Sequence, residues 1–509
     1  MENKKIKPNT DLNNLVNDSK TIKPIEFQTQ IRKTLFKNVM FKQILEFHEA
    51  NYEEFEKKHN NEDDDNGSIN DEEKIVIIIE ILLEILDVLD LGIGIDNYFI
   101  CLYNKSCWEE VNETILKTFL IEVAIKSGIK PSKARKRRYV DALFNQFVIS
   151  AALVIDNEKH DKVKINLLNG TLFIDKKGNV SLKEHRRDDY FKYKLLFNYD
   201  PLAIAPMFEQ FLDDVLPDKQ SQLVLLEYCA YIFTTNLKLE KILILYGSGA
   251  NGKSVFFEIL TALIGEANVS HFSMERLCDE NGYYRAKLSS KLLNYASEFG
   301  KINDIQMFKK LISGEPVEAR LPHKEPISVS NYGKFIFNAN KLPEVEHTDA
   351  FFRRQIIIPF KNTISDSKKD INLSKKIIAT ELSGILNLIL LGLNRLISQN
   401  GFSKSELIDE EMRTYRKDNN SVSLFLEEES WINSSKTKML LKDFYKQYKD
   451  YCIETYQKGF GRPNFSRRLK ELNYVFESGT NNYTFVWVEK KSDVISLDPF
   501  SEFTKDILK

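Results

Sequence analysis

Cysteine, tryptophan and net charge are all scarce in this chain. Its five cysteines, Cys101, Cys107, Cys229, Cys278 and Cys452, are scattered over 509 residues without a CxxC pair, and the seven histidines do not cluster beside them. That spacing speaks against a zinc site and a disulfide framework and points to reduced, buried thiols. The formal net charge is −2, so no global basic field advertises nucleic acid, and any such contact has to come from local patches. A long uninterrupted apolar run is also missing. The most lipid-like stretch, IVIIIEILLEILDVL (Ile75–Leu89), carries Glu80, Glu84 and Asp87 along one helical face, which predicts a buried bundle helix and no membrane partner. The first residues, MENKKIKPNTDLNN, hold no apolar signal core, so a cytosolic protein is expected.

The length is too great for one core and suggests about three domains. Residues 1–71 form a polar N-terminal region with an acidic linker, NNEDDDNGSINDEE, which reads as solvated. Residues 72–240 read as mainly helical, with a strand at Tyr98–Tyr103 and two short strands in VKINLLNGTLFIDKKGNV (163–180). The run KARKRR (Lys133–Arg138) reads as a solvated helix face or a DNA contact. Strands and helices alternate over 241–365, the pattern of an α/β core with a parallel sheet. A helical lid or connector follows at 366–420, a small basic unit at 421–490 and a tail at 491–509.

The strongest local signal is ILILYGSGANGKSVFF (Ile242–Phe257). Gly247, Gly252, Lys253 and Ser254 fit G-x-x-x-x-G-K-[ST], a P-loop, with an apolar strand before it and a helix pattern after it. The chemistry requires this order. The segment Gly247, Ser248, Gly249, Ala250, Asn251, Gly252, Lys253, Ser254 and Val255 can curl backbone N–H groups around phosphates at a helix N-terminus. Lys253 then reaches the β- and γ-phosphates of ATP, and the Ser254 hydroxyl ligates Mg²⁺.

Further chemistry lies downstream. In KLLNYASEFG (291–300), Glu298 follows an apolar run, where a carboxylate can align water and help hold Mg²⁺; the bland reading is a surface loop acid. In KFIFNANKLP (334–343), Asn340 follows the next run and can hold the attacking water or the γ-phosphate, although asparagine is common in turns. In DAFFRRQIIIPF (349–360), Arg353 and Arg354 precede a third run. Either can stabilise transferring phosphate, supplied by a neighbouring subunit, while the other pairs with a carboxylate. Between Glu298 and Asn340 lie a helix with Lys309 and Lys310 and two β-rich arms, Val317–Leu321 and Ile327–Ser330, around a tip containing His323 and Lys324. A basic-tipped hairpin suits contact with a phosphate backbone.

In this order, NGKS (251–254), Glu298, SGE (313–315) with EAR (318–320) and Lys324, Phe337-x-x-Asn340-x-Leu342-Pro343, and Asp349-x-Phe351-x-Arg353-Arg354…Pro359-Phe360 resemble the superfamily 3 helicases. These are AAA+ ATPases, and the nearest type is the helicase half of phage and plasmid primase-helicases related to the poxvirus primase-helicase. YNKSCWEEVNETIL (103–116) and INLLNGTLFID (165–175) resemble the domain that precedes the helicase, so the likeness spans about 98–490. It implies a ring, a hexamer, that hydrolyses ATP between subunits and translocates on single-stranded or forked DNA, with a separate primase or polymerase as partner. Where many P-loop ATPases have two adjacent acids, Ser297 precedes Glu298 here. The residues before the likeness are too few for a primase domain, so primase activity is not expected.

Residues 431–490 hold eleven Lys/Arg against six Asp/Glu, a local excess of five. Leu440–Tyr456 reads as an amphipathic helix with Phe444, Tyr448 and Cys452 on its core stripe. PNFSRRLKEL (463–472) reads as a short helix capped by Asn464, and Tyr474–Val488 as two strands around Ser478–Asn482. Helix, basic helix and hairpin form a winged helix-turn-helix, with Arg462, Arg467, Arg468 and Lys470 facing DNA. The expected protein is therefore a multidomain α/β DNA helicase of a phage, plasmid or integrated element. Alternatives are a DNA-binding initiator or regulator that uses ATP as an assembly switch, and a small-molecule phosphotransferase, against which the basic hairpin and paired arginines argue.

Overall fold

The computed structural model describes residues 39–59, 70–96, 99–151, 163–234, 237–322, 325–343, 349–365, 369–455, 457, 459–479 and 483–491. The hairpin tip at 323–324, most of the acidic linker and the centre of the 478–482 turn lie outside them.

The N-terminal part opens with α1 (Val39–His59) and α2 (Asp71–Val88). Helix α2 is the expected apolar helix. Asn70 accepts from the N–H groups of Glu72 and Glu73, and the Glu73 carboxylate returns to the Asn70 N–H, a capping box. The end of the acidic stretch thus belongs to the first helical turn, where negative charge suits the helix dipole. One face of α2 buries Ile75, Ile78, Ile79, Leu82, Ile85 and Leu86 against α1, α3 (Glu113–Lys126) and α5 (Arg137–Ser150); the short α4 (Pro131–Ala134) lies between the last two. In place of the single expected strand there are three, β1 (Gly92–Asp96), β2 (Phe99–Tyr103) and β3 (Trp108–Val111), in an antiparallel sheet of order β1-β2-β3. A second antiparallel sheet contains β4 (Val163–Leu167), β5 (Gly170–Ile174) and β6 (Val180–Lys183). It has one strand more than the sequence pattern indicates, because β6 is an exposed edge of only four residues, too short for its alternation to stand out. Helices α6 (Pro206–Val215) and α7 (Lys219–Tyr231) lead into the core.

The core is a five-stranded, wholly parallel sheet. Its strands are β7 (Ile242–Tyr246), β8 (Val269–Ser270), β9 (Leu293–Ala296), β12 (Lys334–Ala339) and β13 (Gln355–Pro359), in the order β13-β7-β12-β9-β8. Both faces are covered, so β7 is apolar throughout rather than alternating. Leu243 and Leu245 face a core with α6, α7, α8 (Lys253–Ile264), α13 (Leu373–Thr380) and α14 (Leu382–Gln399). Ile242 and Ile244 face the other side. There lie α9 (Met274–Leu277), α10 (Tyr283–Ala286), α11 (Ile305–Ser313), the hairpin β10–β11 (Val317–Arg320, Pro326–Val329), α12 (Asp349–Phe352) and Tyr415 of α15 (Glu406–Asp418). Helix α14 is long and apolar enough to cross a membrane. In this fold its buried face lies on α7, with Arg395 bonded to the buried Glu227 at 3.0 Å.

The C-terminal unit contains α16 (Ser421–Glu428), β14 (Trp431–Asn433), β15 (Met439–Leu440), α17 (Leu441–Glu454), α18 (Arg462–Glu471), β16 (Phe476–Ser478), β17 (Thr484–Val486) and β18 (Val488–Lys490). Phe444, Tyr448 and Cys452 of α17 are buried, as the stripe indicates, against Phe425, Phe465 and Leu469. Helix α18 differs from expectation at its start. Gly461 is its N-cap, Arg462 its first residue and Asn464 lies inside the first turn. Proline is accommodated in that turn because its missing N–H would have had no helical acceptor there.

Candidate functional site

Parallel pairing sends the ends of β7, β9, β12 and β13 to one edge of the sheet. Tyr246 lies opposite Ala339 and Pro359, and Phe337 lies opposite Ala296. The glycine loop, Glu298 and Asn340 therefore leave the sheet on the same edge. The chain runs from β7 to the far side of the sheet, returns through β9 and β12, and then crosses β7 to reach β13. Ligands of open α/β sheets bind at such a reversal of strand order, beyond the carboxyl ends.

The loop is held from three sides. The Gly247 N–H donates to Ala339 O at 3.0 Å, the Phe360 N–H to Tyr246 O at 2.6 Å, and the Ile364 N–H to Ala250 O at 3.0 Å. The buried Asn251 amide donates to Phe360 O at 2.7 Å. A side chain at Gly247 would meet that same carbonyl, at 2.3 Å from a Cβ. Gly249, Ala250 and Gly252 adopt positive φ, which turns the backbone into the start of α8.

Lys253 is buried at 6% exposure, and its Nζ donates to Gly247 O at 2.6 Å and to Asn251 Oδ1 at 2.9 Å. Among the described residues no carboxylate is a partner of Lys253. Burial without a counter-charge pushes its amine below the ordinary lysine value. A buried ammonium bonded only to neutral oxygens, at the N-terminus of a twelve-residue helix, is arranged to receive an anion. Ser254, Glu298 and Asn340 are exposed at this edge, and Val255 is half-buried under it. The exposed hydroxyl and carboxylate fit a hard divalent cation.

The structure separates the two arginines. Both precede β13 and so lie at the opposite edge of the sheet from the loop, about 20 Å away along the strands. Arg354 is buried, and it donates to Glu240 Oε2 at 2.8 Å, Ala350 O at 2.7 Å and Ser313 Oγ at 3.1 Å. That corrects its candidacy as a projecting finger, because its guanidinium is engaged within its own chain. Arg353 is exposed, 4.0 Å from Glu240. Glu240 carries no motif signal; only its place just before an apolar strand could have drawn attention to it.

Among the residues expected to meet DNA, Lys310 is exposed and Lys309 half-buried on α11, below the hairpin. His323 and Lys324 lie outside the described residues. On α18, Arg462, Arg467 and Lys470 are exposed. Arg468 is not: it is buried, with its guanidinium 4.9 Å from the Phe460 ring centre. The assignment of Arg468 to DNA is thus corrected. Phe465, Arg468 and Leu469 stand at i, i+3 and i+4 and share the core face of the helix.

These features define an α/β protein with a glycine-rich loop and a buried lysine at the carboxyl edge of a parallel sheet. Residues 87–217 match the family described as "D5 N terminal like". Residues 245–354, from the end of β7 to the second arginine, match a family of unknown function, DUF5906. The first match supports a relation to replication proteins of the phage primase-helicase type, in the region expected to resemble the domain before the helicase. No curated protein matches. Solved structures that match include the A-form apo structure of the NrS-1 C-terminal region, at 12% identity over 80% of this chain and 97% of its own, with a TM-score of 0.46. Another is the apo structure of NrS-1 residues 305–718, at 13% identity over 82% and 99%, with a TM-score of 0.47.

Proposed function

We propose that the chain is an ATP-dependent DNA helicase serving replication of a phage, plasmid or integrated element, working as a ring on single-stranded DNA. The observation that carries this reading is Lys253, a buried amine with no acid partner among the described residues, at the head of α8 on the edge that also presents Glu298 and Asn340.

In this reading, the loop N–H groups and Lys253 hold the ATP phosphates, and Lys253 trades its bonds to Gly247 O and Asn251 Oδ1 for phosphate oxygens. Ser254 and Glu298 would hold Mg²⁺, which neutralises charge on the phosphates when bound. Glu298 also orients and deprotonates the attacking water, and Asn340 holds that water or the γ-phosphate. Neither arginine can reach the loop of its own chain, since both sit across the sheet from it. Arg353, exposed, would complete a neighbour's site in a ring, a hexamer by resemblance. The C-terminal unit, as a winged helix, would engage DNA through Arg462, Arg467 and Lys470.

ATP hydrolysis and displacement of a strand from forked DNA test this. The wild-type chain is expected to do both, and Lys253→Ala neither. Hydrolysis that survives Lys253→Ala would overturn the reading. Hydrolysis without strand displacement would favour an initiator that uses ATP for assembly, which the exposed basic face of α18 also suits.

A further inference from the structure

The amino edge of the sheet, across from the glycine loop, carries a second group of cations. A cavity of about 90 Å³ opens between the chain entering β7, the end of α11 and the residues entering β12. Lys238, Lys241 and Lys334 line it together with Tyr231, Tyr332 and Glu240. Lys334 points its Nζ over the Tyr231 ring, 4.1 Å from the centre. Among the described residues no carboxylate pairs with Lys334 or Lys238. Glu240, the one acid in the lining, is taken by Arg354 at 2.8 Å. Lys241 donates to Arg353 O, with Arg353 and Arg416 adding positive charge and Asp409 opposing it.

Positive charge is therefore in excess in a partly desolvated space. Burial and the nearby Lys238 push the Lys334 amine down to about 8. Burying an ammonium without a counter-ion is costly, and a ligand offering several charged oxygens repays that cost. Lysines bind phosphate as point charges. The cavity has room for a tetrahedral oxyanion.

We propose that this cleft is a second phosphate-binding site, built on Lys334, Lys238 and Lys241, that takes a single phosphate group. The group is either a backbone phosphate of single-stranded DNA or free inorganic phosphate. The site is separate from the glycine loop, because Lys334 begins β12 whereas Asn340 follows its end. It also touches both ends of the hairpin segment, through Ser313–Gly314 and Asn331–Gly333.

The test is calorimetric titration of the full chain with inorganic phosphate and with a thymidine oligonucleotide, without ATP. Lys253→Ala, which silences the loop, should still bind phosphate. Adding Lys334→Gln should weaken binding at least tenfold, and adding Lys334→Arg should retain it. Lys238→Gln, at an exposed position, should weaken it without disturbing the fold. Loss of oligonucleotide binding in parallel assigns the site to backbone phosphate; loss of phosphate binding alone assigns it to the free ion. No saturable phosphate binding by Lys253→Ala, or binding indifferent to both Lys334→Gln and Lys238→Gln, would overturn the proposal. None of these readouts needs hydrolysis, so a failure here is distinct from a failure of the helicase reading.

Discussion

Arg353 and Arg354 are adjacent in sequence and opposite in circumstance. Arg354 is locked to Glu240, Ala350 O and Ser313 inside the fold. Glu240 keeps access to solvent, so the loss on removing the guanidinium is mainly that of its buried hydrogen bonds to Ala350 O and Ser313 Oγ and of its packing, about 1–3 kcal/mol. Arg354→Ala should therefore lower the thermal unfolding midpoint strongly. Arg353→Ala should leave that midpoint nearly unchanged and abolish hydrolysis while ATP still binds. Equal stability losses for the two would contradict this separation. His48 carries a second residue-level prediction. It is fully buried with Nε2 2.8 Å from Ser127 Oγ, and burial pushes its pKa down to about 4. An unfolded chain binds that proton near pH 6.5, whereas the folded one does not. The stability contributed by neutral His48 is thus complete above pH 6.5 and lost as pH falls towards 4, at up to about 1.4 kcal/mol per unit. Urea midpoints at pH 7 and 5 should show a drop that His48→Gln reduces. The identity of these roles was not readable beforehand, since an RR pair does not say which guanidinium turns inward. The burial of Arg468 was readable, because its spacing from Phe465 and Leu469 marks one helical face.

Among the strands of the core, those buried on both sides were the most legible in the sequence. ILILY, LLNYA, KFIF and QIIIP are short apolar runs bounded by turn residues, and each became a strand of the parallel sheet. GIGID and WEEV did not look like strands. The first has glycines where β-branched residues would signal pairing, and the second is half charged; both are fixed by pairing with β2. The glycine loop illustrates how close packing adds to a motif. Gly252 has φ +86°, and a Cβ there would lie 2.5 Å from Val215 Cγ1 and 3.0 Å from Phe211 Cε2 of α6. Gly252→Ala should thus combine a left-handed backbone penalty of about 1–2 kcal/mol with a clash against α6. Loss of ATP binding and a lower unfolding midpoint are expected. Val215→Ala in the same chain should recover part of the stability and none of the backbone strain, a non-additivity that a double-mutant cycle would reveal. Simple additivity would show that α6 does not brace the loop.

At the scale of the molecule, a chain of net charge −2 has to concentrate its cations to hold a polyanion. Its cations are concentrated locally, and the C-terminal unit is one such place. Its core is aromatic and apolar, built from Phe425, Phe444, Tyr448 and Phe465. Its exposed α18 face carries Arg462, Arg467 and Lys470, with Arg467 only 3.8 Å from Glu471 and screened by solvent. A contact made by these side chains to phosphates is electrostatic, so it should depend steeply on salt. Each neutralised phosphate adds about 0.9 to the slope of log affinity against log salt for duplex DNA, and about 0.7 for single strands. Replacing Arg462, Arg467 and Lys470 by glutamine should reduce that slope by about 2–3 and weaken binding at low salt. Arg468→Gln should instead lower the unfolding midpoint of the unit, because it lies against Phe460 in the interior. The two outcomes are opposite in kind, one electrostatic and one structural. If the triple variant kept the full salt slope, DNA contact would have to be moved off α18, to the hairpin and the cationic cleft at the amino edge of the sheet.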